Sequence, residues 1–147
     1  MDIGDGEKIF QTMQKFQNMA MNTKMIGEVS RIEFVILQLI KTITDDSQSV
    51  TMSTLSERLN VSKSAVSQMI NVLEDKDYVK RILTKNDRRI VFVRLTELGE
   101  HSLEKALQSF LQVANQIFGR MGEKDTETLL CLLDKLYLIA SDYNNNK

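Results

Sequence analysis

Hydrophobic residues recur along this chain mostly at helical spacing, with one short region at strand spacing. The spacing predicts an amphipathic helix over residues 7–27 and a strongly apolar helix that begins at Ser30 and runs through Ile43. Ser30 and Glu33 have the spacing of a capping box, in which each side chain satisfies a free N–H group at the start of the helix. The polar run 44–49 then predicts a loop.

Two short helices separated by a tight turn are predicted next. Thr51 is suited to begin the first, and Ser62 is suited to begin the second, which runs over residues 63–76. Asn60, between them, tolerates the left-handed backbone that often ends a helix. The polar face of the second helix carries Lys63, Ser64, Ser67, Gln68 and Asn71. A short helix, a turn and a second helix with hydrogen-bonding groups outside form the pattern of a helix-turn-helix.

A basic β-hairpin is predicted after these helices. Residues 79–83 and 90–95 are apolar and β-branched enough for strands, and the polar residues 85–88 between them favour a turn. Residues 80–94 hold six Lys or Arg against one acid, Asp87. A cationic hairpin held in solvent suits the backbone of a nucleic acid. With the preceding helices it has the form of the wing of a winged helix-turn-helix.

Two long helices complete the predicted order. Thr96 is suited to begin a helix that reaches about Met121, Gly122 interrupts the pattern, and a last helix covers about 124–143. The predicted elements are therefore four helices, two strands and two helices. We expect a mainly α fold with a small β-hairpin wing.

The net charge of −1 hides an uneven distribution of charge along the chain. Residues 54–96 hold nine Lys or Arg and five acids, whereas the remainder holds ten Lys or Arg and fifteen acids. A basic middle between acidic ends is typical of a protein whose central domain binds nucleic acid.

Other kinds of function have little support in the sequence. No apolar run approaches the roughly 18 residues that span a bilayer, and the N-terminal residues lack the features of a signal peptide. We expect a cytoplasmic protein with no membrane partner, no cofactor and no enzyme activity, because no catalytic motif is present. His101 and Cys131 make a poor metal site, so we expect an exposed histidine and a buried, inert thiol.

With these features together, the chain resembles the MarR family of winged-helix transcriptional regulators. Asp87-Arg88-Arg89 is similar to the wing signature of the family, and the Leu-Thr-Glu-Leu-Gly run at 95–99 is similar to its entry into the fifth helix. Residues 55–62 and 73–79 match its helix-turn-helix and the approach to its wing.

The resemblance implies a homodimer on a double-stranded, pseudo-palindromic DNA operator. Residues 30–99 would bind DNA, and residues 1–29 and 100–147 would form the dimer. The helix 63–76 would enter the major groove and Arg89 the adjacent minor groove. Arg88 would contact the DNA backbone, and Asp87 would hold the wing arginine in place.

The resemblance also implies a regulatory ligand, and two of the departures of this chain from the family lie in residues 30–99. Many members are repressors relieved by small phenolic or anionic effectors, and such a ligand would lie against Met13, Phe16 and Phe34, unless these residues pack the dimer core instead. Gln68 stands where many members have Arg, so base recognition should either shift towards adenine or weaken. Asp77 stands where glycine is usual, at a position that requires left-handed backbone.

A second interpretation stays open from the sequence alone. The acidic net charge is compatible with a winged-helix module that binds a partner protein and has no sequence-specific DNA binding. A DNA regulator should prefer a symmetric site by orders of magnitude, whereas an interaction module should bind DNA only weakly and without sequence preference.

Overall fold

The computed structural model describes residues 3–22, 25–26, 28–87 and 89–145. The elements in chain order are α1 (Ile3–Asn22), β1 (Met25–Ile26), β2 (Val29–Ser30), α2 (Arg31–Asp45), α3 (Met52–Leu59), α4 (Lys63–Asp75), β3 (Val79–Leu83), β4 (Val91–Leu95), α5 (Glu97–Met121) and α6 (Glu123–Asn145). The expected mainly helical winged-helix fold is confirmed. The chain divides into two compact units, Met1–Ser109 and Phe110–Lys147.

A small hairpin precedes α2, and the sequence analysis missed it. Met25 pairs with Ser30 and Ile26 pairs with Val29 in an antiparallel ladder. The expectation of one helix over residues 7–27 is therefore wrong at its end, since α1 stops at Asn22.

One hydrophobic core holds the winged-helix elements together. From α2 it receives Ile36, Leu37, Ile40 and Ile43, which recur at helical spacing and are each at most 3% exposed. The core is completed by buried side chains from the other elements, chiefly Leu55, Val66, Ile70, Leu73, Val79 and Val93. Burying each such side chain stabilises the fold by about 1.5–3 kcal/mol. This core therefore fixes α4 and the β3–β4 hairpin against α2.

The predicted capping box at the start of α2 is confirmed. The backbone N–H of Glu33 donates to the Ser30 hydroxyl at 3.2 Å, and the backbone N–H of Ser30 donates to the Glu33 carboxylate at 2.8 Å. These bonds satisfy donors that the helix itself leaves free.

The turn after α4 and the start of α5 pack closely against each other. Asp77 has a φ of 58°, so the expectation of left-handed backbone at this position is confirmed. The Thr96 hydroxyl donates to the carbonyl of Asp77 at 2.5 Å, and the backbone N–H of Thr96 donates to the carbonyl of Tyr78 at 3.0 Å. A Cβ atom added at Gly99 would lie 1.9 Å from that Tyr78 oxygen. The glycine thus permits a close approach of helix and turn.

The last helix buries none of its described side chains within the chain. The expectation of a buried thiol is consequently wrong, because Cys131 is exposed. Gly122, with a φ of 91°, separates α5 from α6 as expected. No helix in the described residues has the length and apolar character needed to cross a membrane.

Candidate nucleic-acid interface

The turn between α3 and α4 is closed by local hydrogen bonds. Asn60 ends α3 in the left-handed conformation with a φ of 54°, as its residue type predicted. The Ser56 hydroxyl donates to the carbonyl of Val61 at 2.6 Å, and the backbone N–H of Val61 donates to the carbonyl of Ser56 at 3.1 Å. Ser62 then caps α4 by accepting from the backbone N–H of Ala65 at 3.1 Å. The predicted helix-turn-helix geometry follows from these contacts.

One face of α4 is polar and accessible. Its inward face supplies Val66, Ile70 and Leu73 to the core, each at most 1% exposed. The outer face carries the residues that the sequence analysis selected, of which Ser67 is half-buried and the others are exposed: Lys63, Ser64, Ser67, Gln68 and Asn71. An exposed helix face with hydroxyl, amide and ammonium groups can bond to base edges and phosphates.

Arg81 joins the wing to α4, and the sequence analysis did not assign it a role. One guanidinium nitrogen donates to Asn71 Oδ1 at 2.7 Å and lies 3.4 Å from the carbonyl oxygen of Ser67. The other donates to the carboxylate of Glu74 in an ion pair. Strand alternation could have revealed this contact, because it places Arg81 on the same inward face as the buried Val79.

The wing comprises β3, β4 and the residues that connect them. We call the connecting residues 84–90 the wing tip. Its two strands pair in antiparallel register from Val79 opposite Leu95 to Leu83 opposite Val91. A hydrogen bond of 2.8 Å from the backbone N–H of Val93 to the carbonyl of Val50 ties the wing to the α2–α3 loop. The base of the wing is therefore anchored, and its tip extends from it.

Asp87 organises the main chain of the wing tip. Its carboxylate accepts from the backbone N–H of Arg89 at 2.9 Å, and its carbonyl accepts from the backbone N–H of Ile90 at 3.1 Å. The Thr84 hydroxyl donates to the same carbonyl at 2.6 Å. Asp87 thus acts on Arg89 through the backbone, and the expected orientation of the guanidinium by this carboxylate remains a prediction. Arg88 lies outside the described residues.

Several cations of the wing remain accessible. Arg89 and Lys85 are exposed at the tip, and Lys80 and Arg94 lie directly opposite each other on the solvent-facing side of the strands. Like charges at directly opposed positions destabilise a strand pair. Within the described residues these four side chains make no ion pair, so an external anion would relieve their repulsion.

The residues expected to line a ligand pocket lie in different environments. Met13 and Phe16 are exposed on α1, at 55% and 62%, whereas Phe34 packs against the core from α2. The ligand site formed by these three residues stays a prediction. His101 is exposed as expected, and the described residues contain no group of three or more His, Cys, Asp or Glu that could hold a metal ion.

Comparisons with known proteins agree with this geometry. The model of the MarR family matches residues 28–90. The chain is 28% identical over 133 residues to the uncharacterized HTH-type transcriptional regulator YpoP of Bacillus subtilis, a match that covers 90% of this chain and 89% of YpoP.

Two solved structures with DNA share the fold. A mutant MarR from E. coli in complex with operator DNA has 24% identity and a TM-score of 0.67, over 91% of this chain and 94% of that one. FabT of Streptococcus pneumoniae in complex with DNA has 22% identity and a TM-score of 0.72, over 96% of this chain and 99% of that one.

Proposed function

We propose that this chain is a winged helix-turn-helix transcription regulator of the MarR family and that it binds a double-stranded operator as a homodimer. The observation that carries the proposal is the fixed relation between two DNA-compatible surfaces, the polar face of α4 and the basic wing. Arg81 links them by hydrogen bonds to α4. A rigid link suits simultaneous contact with adjacent grooves, because it reduces the entropy lost on binding.

In this proposal α4 enters the major groove. Gln68 and Asn71 contact base edges, because their amides carry the donors and acceptors that distinguish base pairs there. Lys63, Ser64 and Ser67 lie at the start of the helix, where a cation, hydroxyls and the positive end of the helix dipole favour phosphate oxygens.

The wing tip reaches the neighbouring minor groove. Arg89 is exposed there, and its backbone is held by Asp87. A narrow minor groove has an enhanced negative potential that attracts inserted arginines. We assign Arg88, Lys80 and Arg94 to the DNA backbone, since these contacts supply sequence-independent affinity.

The dimer is formed by residues 1–29 and 100–147, and residues 30–99 form the DNA-binding domain. Support comes from large apolar side chains that the single chain leaves exposed on α1, α5 and α6, including Phe10, Ile117, Leu132, Leu133, Leu136 and Ile139. Large apolar side chains left exposed in such numbers on a helix usually mark a protein interface. Two-fold symmetry would present two half-sites about one helical turn of DNA apart, roughly 34–36 Å.

The bound dimer represses transcription by occupying DNA that the polymerase needs. A small phenolic or anionic effector near Met13, Phe16 and Phe34 relieves this repression. It does so by favouring a spacing of the two α4 helices that fits the operator poorly, which is a shift of population between two states.

The proposal is tested by selection of bound sequences from a random duplex library with the purified chain at near-physiological salt. Sedimentation velocity on the same sample gives the oligomeric state. A two-fold symmetric motif bound by a dimer is expected. A folded chain that selects no motif would instead favour the protein-interaction function, for which weak binding without sequence preference is characteristic.

A further inference from the structure

We infer that Arg81 is a positioning residue that sets how Asn71 reads a base, an inference that rests on the proposed DNA-binding function. The guanidinium lies among three acceptors of α4: the amide oxygen of Asn71 at 2.7 Å, the carbonyl oxygen of Ser67 at 3.4 Å and the carboxylate of Glu74. One side chain of the wing thereby engages two turns of α4.

Burial and pairing hold the Arg81 side chain in this position. Its register partner Val93 is fully buried, and only 24% of the Arg81 side chain is exposed. Guanidinium–carboxylate bonds are stronger than neutral ones, and the partly excluded solvent reduces screening of the pair with Glu74. The guanidinium is thus a stable partner for the Asn71 amide.

This contact dictates the orientation of the Asn71 amide. Arginine has donors and no acceptor, so the amide must turn its oxygen towards Arg81 and its NH₂ group away from it. Bidentate pairing with adenine requires the amide to present its oxygen to N6 and its nitrogen to N7. Because Arg81 takes one of the two lone pairs of the oxygen and turns it inward, the NH₂ group is the part of the Asn71 amide that faces the DNA.

An amide fixed with its NH₂ group outward favours different bases from an amide that is free to rotate. Acceptors on the major-groove edge are O6 and N7 of guanine, O4 of thymine and N7 of adenine. The base facing Asn71 is accordingly one that offers an acceptor, with guanine and thymine favoured. Adenine loses part of its advantage there because the oxygen that would accept from its N6 group is turned towards Arg81.

Gln68 provides an internal comparison on the same helix. It is exposed, and within the described residues its side chain makes no hydrogen bond. Gln68 therefore keeps both an acceptor and donors for a bidentate contact with adenine. The two amides share one polar face and differ because, within the described residues, Arg81 bonds to Asn71 and not to Gln68.

The test compares selected motifs from a random duplex library for the unaltered chain, Asn71→Ala, Arg81→Gln and Lys80→Gln. Lys80 is the matched control, because it adjoins Arg81 on β3, points to the opposite face and loses the same charge. We expect Asn71→Ala to reduce base preference at one position of each half-site by about tenfold. Arg81→Gln should change the preferred base at that same position, and Lys80→Gln should keep every preference with weaker overall binding.

A further variant separates base reading from support of the fold. Asn71→Asp keeps an acceptor for Arg81 but removes both N–H donors, so we expect an unfolding temperature no lower than that of the unaltered chain, with preference lost at the same position. This variant remains informative if Arg81→Gln fails to fold.

Three results would overturn the inference. These are an unchanged motif with Arg81→Gln, an unchanged motif with Asn71→Ala, and full base preference retained by Asn71→Asp. Absence of any motif with the unaltered chain would instead overturn the proposed function itself, and the two failures are therefore distinguishable.

Discussion

Lys76, the residue that closes α4, forms an ion pair with the carboxylate of Glu33 in the first turn of α2. Only 7% of Glu33 is exposed, and its carboxylate also accepts from the backbone N–H of Ser30. The two residues lie 43 positions apart in sequence, so the pair joins the end of α4 to the start of α2. The position of α4 therefore depends partly on this contact.

Lys76→Met should destabilise the fold, because it leaves the nearly buried carboxylate of Glu33 without its cation. The expected loss is about 1–2 kcal/mol in the free energy of unfolding, measured in urea. Lys41→Met is the control, since Lys41 pairs with Asp45 at 3.2 Å on the exposed surface of α2. That change should cost at most about 0.5 kcal/mol, and equal losses in the two variants would contradict the role of Lys76.

The same site should make stability depend on pH. Burial acts to raise the pKa of Glu33, but the hydrogen bonds from Lys76 and Ser30 outweigh it and hold the pKa below the ordinary value of 4.5. Its contribution is present above pH 4.5 and is lost as the pH falls through the lower value of the folded state. The advantage in unfolding free energy over Glu33→Gln should therefore shrink on acidification below pH 4.5. If the difference in unfolding free energy between the two chains stayed constant from neutral pH to below pH 4.5, the lowered pKa of Glu33 would be refuted.

Gly99→Ala should be destabilising because the new Cβ would lie 1.9 Å from the carbonyl oxygen of Tyr78. The start of α5 or the turn after α4 must then move, at a cost of about 1–3 kcal/mol. Gly119→Ala, in the same helix, is the matched control, since nothing lies within 4 Å of its added Cβ. Helix propensity predicts that this control stabilises the chain by up to about 1 kcal/mol. Thermal unfolding of both variants would decide whether close packing explains the glycine.

Arg89→Ala should weaken operator binding by roughly 1–3 kcal/mol if the side chain enters the minor groove. Fluorescence anisotropy with the selected duplex measures this loss. Lys105→Ala removes an exposed cation of α5 that lies outside the proposed DNA-binding residues 30–99, and it should leave the affinity nearly unchanged. Equal affinities of Arg89→Ala and the unaltered chain would exclude a DNA contact by this arginine.

Gln68→Ala should relax base preference at one position of each half-site while the other positions keep theirs. Lys63→Gln should instead weaken binding to all sequences about equally and reduce the dependence of log affinity on log salt by about one unit. Competition among single-base variants of the operator at two salt concentrations distinguishes these effects. If Gln68→Ala instead lowered the affinity for all sequences equally, Gln68 would be identified as a contact to the DNA backbone.

Local chemistry explains which structural features were predictable. Ser30 with Glu33, Asn60 and Asp77 each adopt the expected cap or left-handed conformation, since each depends on residue type and near neighbours. The helix-turn-helix follows because such caps set the ends of α3 and α4.

Contacts between distant residues explain what the sequence analysis missed. The bonds from Arg81 to α4 span 7 to 14 positions, and their existence depends on how the strand packs against the helix. The hairpin at Met25 was hidden because runs of two residues have no readable period. The exposure of Cys131 was missed because an apolar helical pattern indicates burial without specifying whether another segment or another molecule provides it.

The most direct test of sequence-specific dimeric DNA binding is an anisotropy titration with three duplexes at near-physiological salt. One carries the selected symmetric site, one has a single half-site scrambled, and one is random. The account predicts that scrambling one half-site lowers affinity by on the order of a hundredfold, because a dimer loses one complete set of base contacts. Equal affinity for all three duplexes, with the same decline in affinity as the salt concentration rises, would contradict sequence-specific binding by a dimer.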